Sequence, residues 1–139
     1  RRPIKLLHTM IQDKDFTIRL IKQLSNLLAK LLLGKNEGEE EMSQQMFDTA
    51  VKDIFKMNFY ELATKPTNEI SLWVEEHEPK YHADYYELLA HLFYFKNKEN
   101  PNSTFAEKAK IFYQQWLDKS KIFSFEIIAR IKELENNHQ

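Results

Sequence analysis

The chain lacks several features on which whole classes of protein depend. It has no cysteine, which excludes disulfide bonds, thiolate metal sites and cysteine nucleophiles. Its formal net charge of −1 gives no overall field that would attract nucleic acid or an anionic membrane. The longest aliphatic run, Leu31–Leu33, is far shorter than the ~20 apolar residues of a membrane-spanning helix. We therefore expect a cytoplasmic protein that binds neither nucleic acid nor membrane.

Glycine is also scarce, and its two positions predict where the chain turns. Gly34 and Gly38 fall in the same short gap. Elsewhere, apolar residues recur every third or fourth position, which is the spacing of one face of an α-helix. No alternating pattern typical of strands competes with it. We therefore expect an all-α fold of five or six antiparallel helices joined by short loops.

Capping residues and prolines divide the chain into six predicted helices. The first begins at about Asp13 or Asp15, either of which can cap it, and ends before Gly34 in the left-handed conformation. Thr104 and Glu107 fit a capping box at the start of the fifth helix. The later helices are predicted at about residues 39–55, 66–76, 79–97 and 105–119, and from 125 onward. Residues 57–64 are predicted to be a connector that has room for one helical turn.

The periodicity also predicts which side chains face the core. A stripe of apolar residues on one face is the part of an amphipathic helix that packs inward. In the first helix this stripe is Phe16, Leu20, Leu24, Leu27, Leu28 and Leu31. In the second it is Met42, Met46, Phe47, Ala50, Val51, Ile54 and Phe55, and in the last it is Phe125, Ile128, Ile131 and Leu134.

The N-terminus is treated separately from the predicted domain. Residues 1–9 begin with two arginines but lack the 7–15-residue apolar core of a signal peptide. Met10 is followed by polar residues and then by the first strong apolar stripe. We therefore expect residues 1–9 to be an extension or a cloning remnant, and residues 10–139 to form a single helical domain.

Aromatic side chains crowd the predicted fourth helix and occupy more than one of its faces. This helix is either packed centrally between its neighbours or exposes aromatic rings to a partner. In the second case the candidate partner-binding residues are Tyr86, Tyr94, Tyr113 and Trp116. Tyrosine and tryptophan concentrate binding energy at interfaces because they combine a large area with a polar edge. The partner would be a protein, a peptide or a second copy of the chain.

One group of residues has the chemistry of metal ligands. His77, His82, Glu87 and His91 lie within fifteen positions, and Glu87 and His91 are one helical turn apart. Their spacing matches no known zinc or di-metal motif, and the chain has no Gly-rich phosphate loop or GxSxG turn. We expect a non-catalytic protein with no metal or other cofactor. A metal-dependent enzyme built on these four residues is the alternative hypothesis.

Residues 88–134 resemble a degenerate tetratricopeptide-type unit, although the loop 98–103 is longer than that repeat's turn and its Trp, Gly and Pro positions are absent. The resemblance is carried by Leu88-Leu89-Ala90, Ala106-Glu107-Lys108-Ala109, Phe112-Tyr113 and Phe125-Glu126-Ile127-Ile128-Ala129. Residues 15–24 and 123–126 are similar to an uncharacterised bacterial family of small helical proteins with tetratricopeptide-like ends. This resemblance implies a stack of helical hairpins and assigns no activity or site residue. We therefore expect a protein–protein interaction or scaffold domain.

Overall fold

The architecture is helical throughout the part of the chain that can be described. A computed structural model describes the backbone of residues 2–34 and 44–136, and the side chains of residues 14–34 and 44–136. Every regular element in these ranges is a helix, which confirms the predicted all-α class. The helices are α1 (Arg2–Leu32), α2 (Gln44–Phe55), α3 (Phe59–Thr64), α4 (Thr67–Glu75), α5 (His82–Glu99), α6 (Ser103–Ser120) and α7 (Phe125–Asn136), with a 3₁₀ turn at Pro79–Tyr81 before α5.

The predicted number of helices, five or six, is too low for the described ranges, which contain seven α-helices. The additional one is α3, where we expected a connector. A capping box starts it: the Asn58 side chain accepts a hydrogen bond from the Glu61 amide at 2.8 Å. The Glu61 carboxylate accepts one in return from the Asn58 amide at 3.1 Å. Burial of Phe59 and Leu62 then holds this short helix on the core.

The first helix begins earlier than we predicted. It starts at Arg2 rather than at an aspartate cap at Asp13 or Asp15. Pro3 lies in its first turn, where the missing N–H leaves no hydrogen bond unmade. The helix ends at Leu32, and Gly34 has a φ of +73°, so the predicted left-handed stop is confirmed. The side chains of residues 1–9 lie outside the described part, and their assignment as an extension stays a prediction.

Helix α5 is the centre of the fold. Eleven of its 18 residues are buried, because α1, α4 and α6 all pack against it. Helix α6 lies antiparallel to α5, since Phe93 contacts Phe105 (5.9 Å between ring centroids) while Tyr86 contacts Phe112 (6.1 Å). Helix α7 packs against α6 in turn. Buried apolar side chains from α1 to α7 join in one core.

The cap of α6 differs from the predicted one. Asn102, not Thr104, caps the helix: its side-chain oxygen accepts from the amides of Thr104 (2.8 Å) and Phe105 (3.1 Å). The predicted capping box of Thr104 and Glu107 is therefore wrong, because the helix already begins at Ser103 and the Thr104 amide donates to the Asn102 side chain. At the other end, Lys121 takes the left-handed conformation (φ 59°) and the chain turns into α7.

Several predicted core positions are exposed. Phe16, Met46 and Phe125 all face solvent, whereas Ile21 and Ile127 are buried in their place. In α1 the fully covered stripe is Ile21, Leu24 and Leu28, so the apolar face is wider than the surface that α5 covers. In α7 the inward positions are Ile127, Arg130 and Leu134. The predicted inward residue Met42 lies outside the described residues.

Candidate interaction site

The four aromatic residues proposed as a binding surface do not form one. Tyr86, Tyr94 and Tyr113 are buried, and Trp116 is half-buried. The hypothesis of an exposed aromatic surface is wrong for the three tyrosines, because α1, α4 and α6 pack against α5 and Arg130 of α7 contacts Tyr113. The alternative left open by the sequence, central packing of this helix, is the one observed.

Tyr113 instead joins a buried polar network that links three helices. Arg130 Nη1 on α7 donates to the Tyr113 hydroxyl at 3.0 Å. His91 Nδ1 on α5 lies 2.9 Å from the same hydroxyl. The Arg130 guanidinium also stacks over the rings of Tyr94 and Tyr113, 5.0 and 5.8 Å from their centroids. These contacts give the inward-facing Arg130 the partners that a buried cation requires.

Two tyrosines of α5 donate hydrogen bonds to carboxylates on neighbouring helices. Tyr94 donates to Glu133 at 2.7 Å, and Lys98 donates to the other oxygen of that carboxylate at 2.8 Å. Tyr86 donates to Glu75 of α4 at 2.9 Å. Burial raises the pKa of Tyr86 to about 12, so its hydroxyl stays protonated and remains a donor. The hydroxyls of Tyr86 and Tyr94 therefore link α5 to α4 and to α7 by hydrogen bonds.

The geometry of Tyr113 does not suit it to catalysis. Burial raises the pKa of its phenol well above the ordinary value, although the Arg130 guanidinium opposes that shift. The side chain is fully covered, so no substrate reaches the hydroxyl in this conformation. A neutral, enclosed phenol can hold Arg130 and His91 in place but offers neither a nucleophile nor a proton to an external molecule.

The four metal-ligand candidates do not converge. His82 Nε2 is bound to the backbone oxygen of His77 at 2.7 Å, and His77 Nδ1 to that of Trp73 at 3.0 Å. His91 lies about 13 Å further along α5 than His82, at 1.5 Å per residue, and its Nε2 faces Glu87 at 3.6 Å. No group of three or more such side chains is placed to share a metal ion within the described ranges. These four residues are therefore not arranged as the ligands of one metal ion, as the alternative hypothesis requires.

Helices α1 and α2 form the walls of an open apolar groove on the surface. It has a volume of about 430 Å³. Phe16 of α1 and Met46 of α2 line it and are 56% and 54% exposed. The remaining lining residues are Leu20, Gln23, Leu24, Leu27, Gln45, Thr49, Ala50 and Asp53. We name this feature the α1–α2 groove. Sequence reasoning placed its apolar residues in the core, since periodicity does not show which part of a wide apolar face is covered.

A second apolar surface lies at the turn between α6 and α7. Ile122, Phe123 and Phe125 are 54%, 68% and 80% exposed, and they follow each other almost directly in the chain. We name them the α6–α7 tip. The signal available in the sequence was Ile122 and Phe123 in the turn that follows Lys121, outside any predicted helical stripe, whereas Phe125 was placed in the inward stripe of the last helix. Three large apolar side chains exposed together are typical of an interaction surface.

A further cavity, of about 540 Å³, is lined by both aromatic and charged side chains. Trp73, His77 and Tyr85 contribute aromatic rings that pack on one another with centroids 4.5–5.4 Å apart. Lys14 and Glu78 also line it and form an ion pair with each other. Two of the charged side chains of this cleft are therefore paired with each other, and three of its aromatic rings pack together.

Comparison with known proteins identifies no relative: no family model, curated protein or solved structure matches the chain. Within the described residues, no helix has the length and apolar character needed to cross a bilayer.

Proposed function

We propose that the protein is a non-catalytic helical interaction domain and that the α1–α2 groove is its binding surface. The observation that supports this most directly is the exposure of Phe16 and Met46 on two ordered helices that flank a concave apolar surface. Contiguous apolar surface in a concave site is the usual mark of an interaction site, whereas single exposed residues are common everywhere.

The shape of the groove favours an amphipathic helix or a similarly apolar segment as its occupant. A groove between two helices accepts the apolar face of a third, with anchors spaced at helical intervals. The lining is mostly apolar, and Gln23, Gln45 and Asp53 supply polar groups for the rim of such a contact. This composition resembles an interface in which apolar anchors are surrounded by polar side chains.

We further propose that α5, α6 and α7 form a hairpin stack of the tetratricopeptide type, as in the bacterial family that the sequence resembles. In support, α6 packs along α5, and α7 packs along α6. Short connections at residues 100–102 and 121–124 join these helices. A stack of this kind presents surfaces between helices and needs no catalytic group. We place the protein in the cytoplasm, as the absence of cysteine permits.

The groove can be tested with a displayed peptide library selected on the immobilised protein. We expect amphipathic helical peptides to be enriched, with apolar residues at i, i+3 or i+4, and i+7. Their binding should fall at least tenfold in the double variant Phe16→Ser, Met46→Ser. Both side chains are more than half exposed, so the substitutions remove apolar contact area with little effect on the fold.

The control is Leu72→Ser, which removes a large apolar side chain that is 68% exposed on α4, outside the groove. It should bind the selected peptides as the wild type does. A selection that enriches no sequence class, or peptides whose binding the groove variant retains, would show that the α1–α2 groove is not a binding surface.

A further inference from the structure

We propose that the cleft beside Trp73 binds a small aromatic zwitterion, of which a free aromatic amino acid is the simplest example. We name this feature the Trp73 cleft; it is the cavity of about 540 Å³ lined by α1, the end of α2, α4 and α5. Small-molecule sites are usually clefts of about 300–1,000 Å³. The Trp73 cleft shares no lining residue with the α1–α2 groove, so this inference does not rest on the proposed function.

The Tyr85 hydroxyl is a polar group of this cleft that the fold leaves without a partner. Tyr85 is only 3% exposed, yet its hydroxyl bonds to no described residue, whereas those of the other buried tyrosines all do. In the described ranges only the Ser25 hydroxyl is both enclosed and unpartnered, so the Tyr85 hydroxyl is open to water. Burial raises the pKa of this phenol, so the hydroxyl keeps its proton. It is therefore free to bond to a ligand in the cleft that Tyr85 lines.

His77 adds a second polar atom to the lining. Its Nδ1 lies 3.0 and 3.1 Å from the backbone oxygens of Trp73 and Val74, which can only accept, so Nδ1 carries a proton. In the neutral ring, Nε2 is then an acceptor, and it has no hydrogen-bond partner among the described residues. The side chains of Tyr85 and His77 thus offer a donor and an acceptor beside aromatic surface.

The charges that line the cleft are balanced. Lys14 and Glu78 are paired with each other. Lys56 and Glu76 also line the cleft, and the side chain of neither forms an ion pair or hydrogen bond with a described residue. One cation and one carboxylate therefore remain for a ligand. A zwitterion can pair with both, whereas a ligand with a single charge leaves one of them unmatched.

The aromatic lining favours a ring as the uncharged part of the ligand. Trp73 and His77 are half-buried, and their rings meet at 69° with centroids 4.6 Å apart. Such partly covered rings can contact a further ring edge to face or offset, the arrangements that aromatic pairs prefer. The face of Tyr81 is already occupied by the ammonium groups of Lys14 and Lys80, 5.8 and 5.2 Å from its centroid. The cleft is therefore better suited to an aromatic ring than to a bare organic cation.

Isothermal titration calorimetry with L-tryptophan tests the proposal. Tryptamine lacks its carboxylate, and indole-3-propionate lacks its ammonium group. We expect L-tryptophan to bind with one-to-one stoichiometry, and each of the other two probes to bind about tenfold more weakly. Glu76→Gln should weaken L-tryptophan and tryptamine but not indole-3-propionate. Lys56→Met should weaken L-tryptophan and indole-3-propionate but not tryptamine.

The matched control for Lys56→Met is Lys52→Met, which changes an exposed lysine of α2 that does not line the cleft and should bind as the wild type does. Tyr85→Phe separates binding from folding. Because its hydroxyl has no partner in the fold, this variant should melt no lower than the wild type, yet bind L-tryptophan several-fold more weakly.

Absence of binding by L-tryptophan, L-phenylalanine and L-tyrosine would overturn the proposal. So would equal affinity for L-tryptophan and tryptamine, or binding that both Glu76→Gln and Lys56→Met leave unchanged. Phe16→Ser, in the α1–α2 groove, should bind L-tryptophan as the wild type does; a loss in that variant would place the ligand in the groove and contradict a site in the Trp73 cleft. Peptide binding by the groove is measured separately, so either proposal can fail without the other.

Discussion

At the scale of single residues, Tyr113 shows that a side chain of a type common in binding sites can instead hold helices together. Its hydroxyl is the shared partner of Arg130 and His91, which belong to different helices. Apolar periodicity predicted that Tyr113 lies on a helix, but it could not predict burial. That depends on Arg130, seventeen residues away, which turns inward and supplies a donor for the hydroxyl.

We expect Tyr113→Phe to lower stability by about 1–3 kcal/mol, the cost of leaving a buried polar partner unsatisfied. The ring is retained, so packing changes little and the loss reports the hydroxyl. In a chain of this size the thermal midpoint should fall by several degrees. Tyr60→Phe, at an exposed tyrosine, is the control and should melt within about one degree of the wild type. Equal midpoints for the two variants would contradict a structural role for the network.

We expect acid to weaken the hydrogen bond between Tyr86 of α5 and Glu75 of α4. The hydrogen bond from Tyr86 holds the pKa of Glu75 below its ordinary value of 4.5; burial opposes this shift, and Lys119 and His82 add to it. A carboxylate with a lowered folded-state pKa stabilises the fold above its unfolded pKa, and that contribution is lost as the pH falls through the folded value. The thermal midpoint should therefore drop below about pH 4.5.

The variants Glu75→Gln and Tyr86→Phe should both show a shallower acid loss than the wild type, because the first removes the titrating carboxyl group and the second removes the largest cause of its lowered pKa. Glu133, whose pKa is also lowered, supplies a remaining acid dependence: burial raises its pKa, but the hydrogen bonds from Lys98 and Tyr94 outweigh that effect. If the acid slopes of both variants equal that of the wild type, Glu75 is not part of the linkage.

At the scale of helices, local sequence signals predicted that a helix exists better than they predicted where it begins and ends or which of its faces is buried. Gly34 predicted the end of α1, and Pro79 the start of the segment that leads into α5. The capping box of Asn58 and Glu61 was readable in the sequence, yet α3 was missed because its six residues are too few for a periodic pattern. The exposure of Phe16 and Phe125 was unpredictable from periodicity, since it depends on how much of each face a neighbouring helix covers.

The choice of cap for α6 can be tested directly. Asn102→Ala removes the acceptor of two backbone amides and should cost about 0.5–2 kcal/mol. Thr104→Ala, at the cap position that the sequence suggested, changes an exposed side chain and should have little effect. Chemical denaturation of both variants measures the difference. A larger loss for Thr104→Ala would restore the capping box of Thr104 and Glu107.

At the scale of the whole molecule, burial decreases outward from α5. Eleven of 18 residues of α5 are buried, against three of 12 in α7, and one of those three is Arg130. Helix α7 is therefore held by two apolar anchors, Ile127 and Leu134, together with the polar contacts to Tyr113 and Tyr94. Segments with few buried apolar contacts open at lower free energy than the core, so α7 should open before α5 and α6 unfold.

Native-state hydrogen exchange measures this order. We expect the amides of α7 to exchange through a partial opening, while those in the middle of α5 exchange only by global unfolding. Arg130→Met keeps much of the side-chain volume but removes the donor to Tyr113, so it should weaken protection in α7 more than in α5. The matched control is Lys132→Met on the exposed side of the same helix, which should leave the order unchanged. Equal protection of α5 and α7 in the wild type would mean that the seven helices unfold as one unit, with Arg130 contributing to the whole core rather than to the attachment of its last helix.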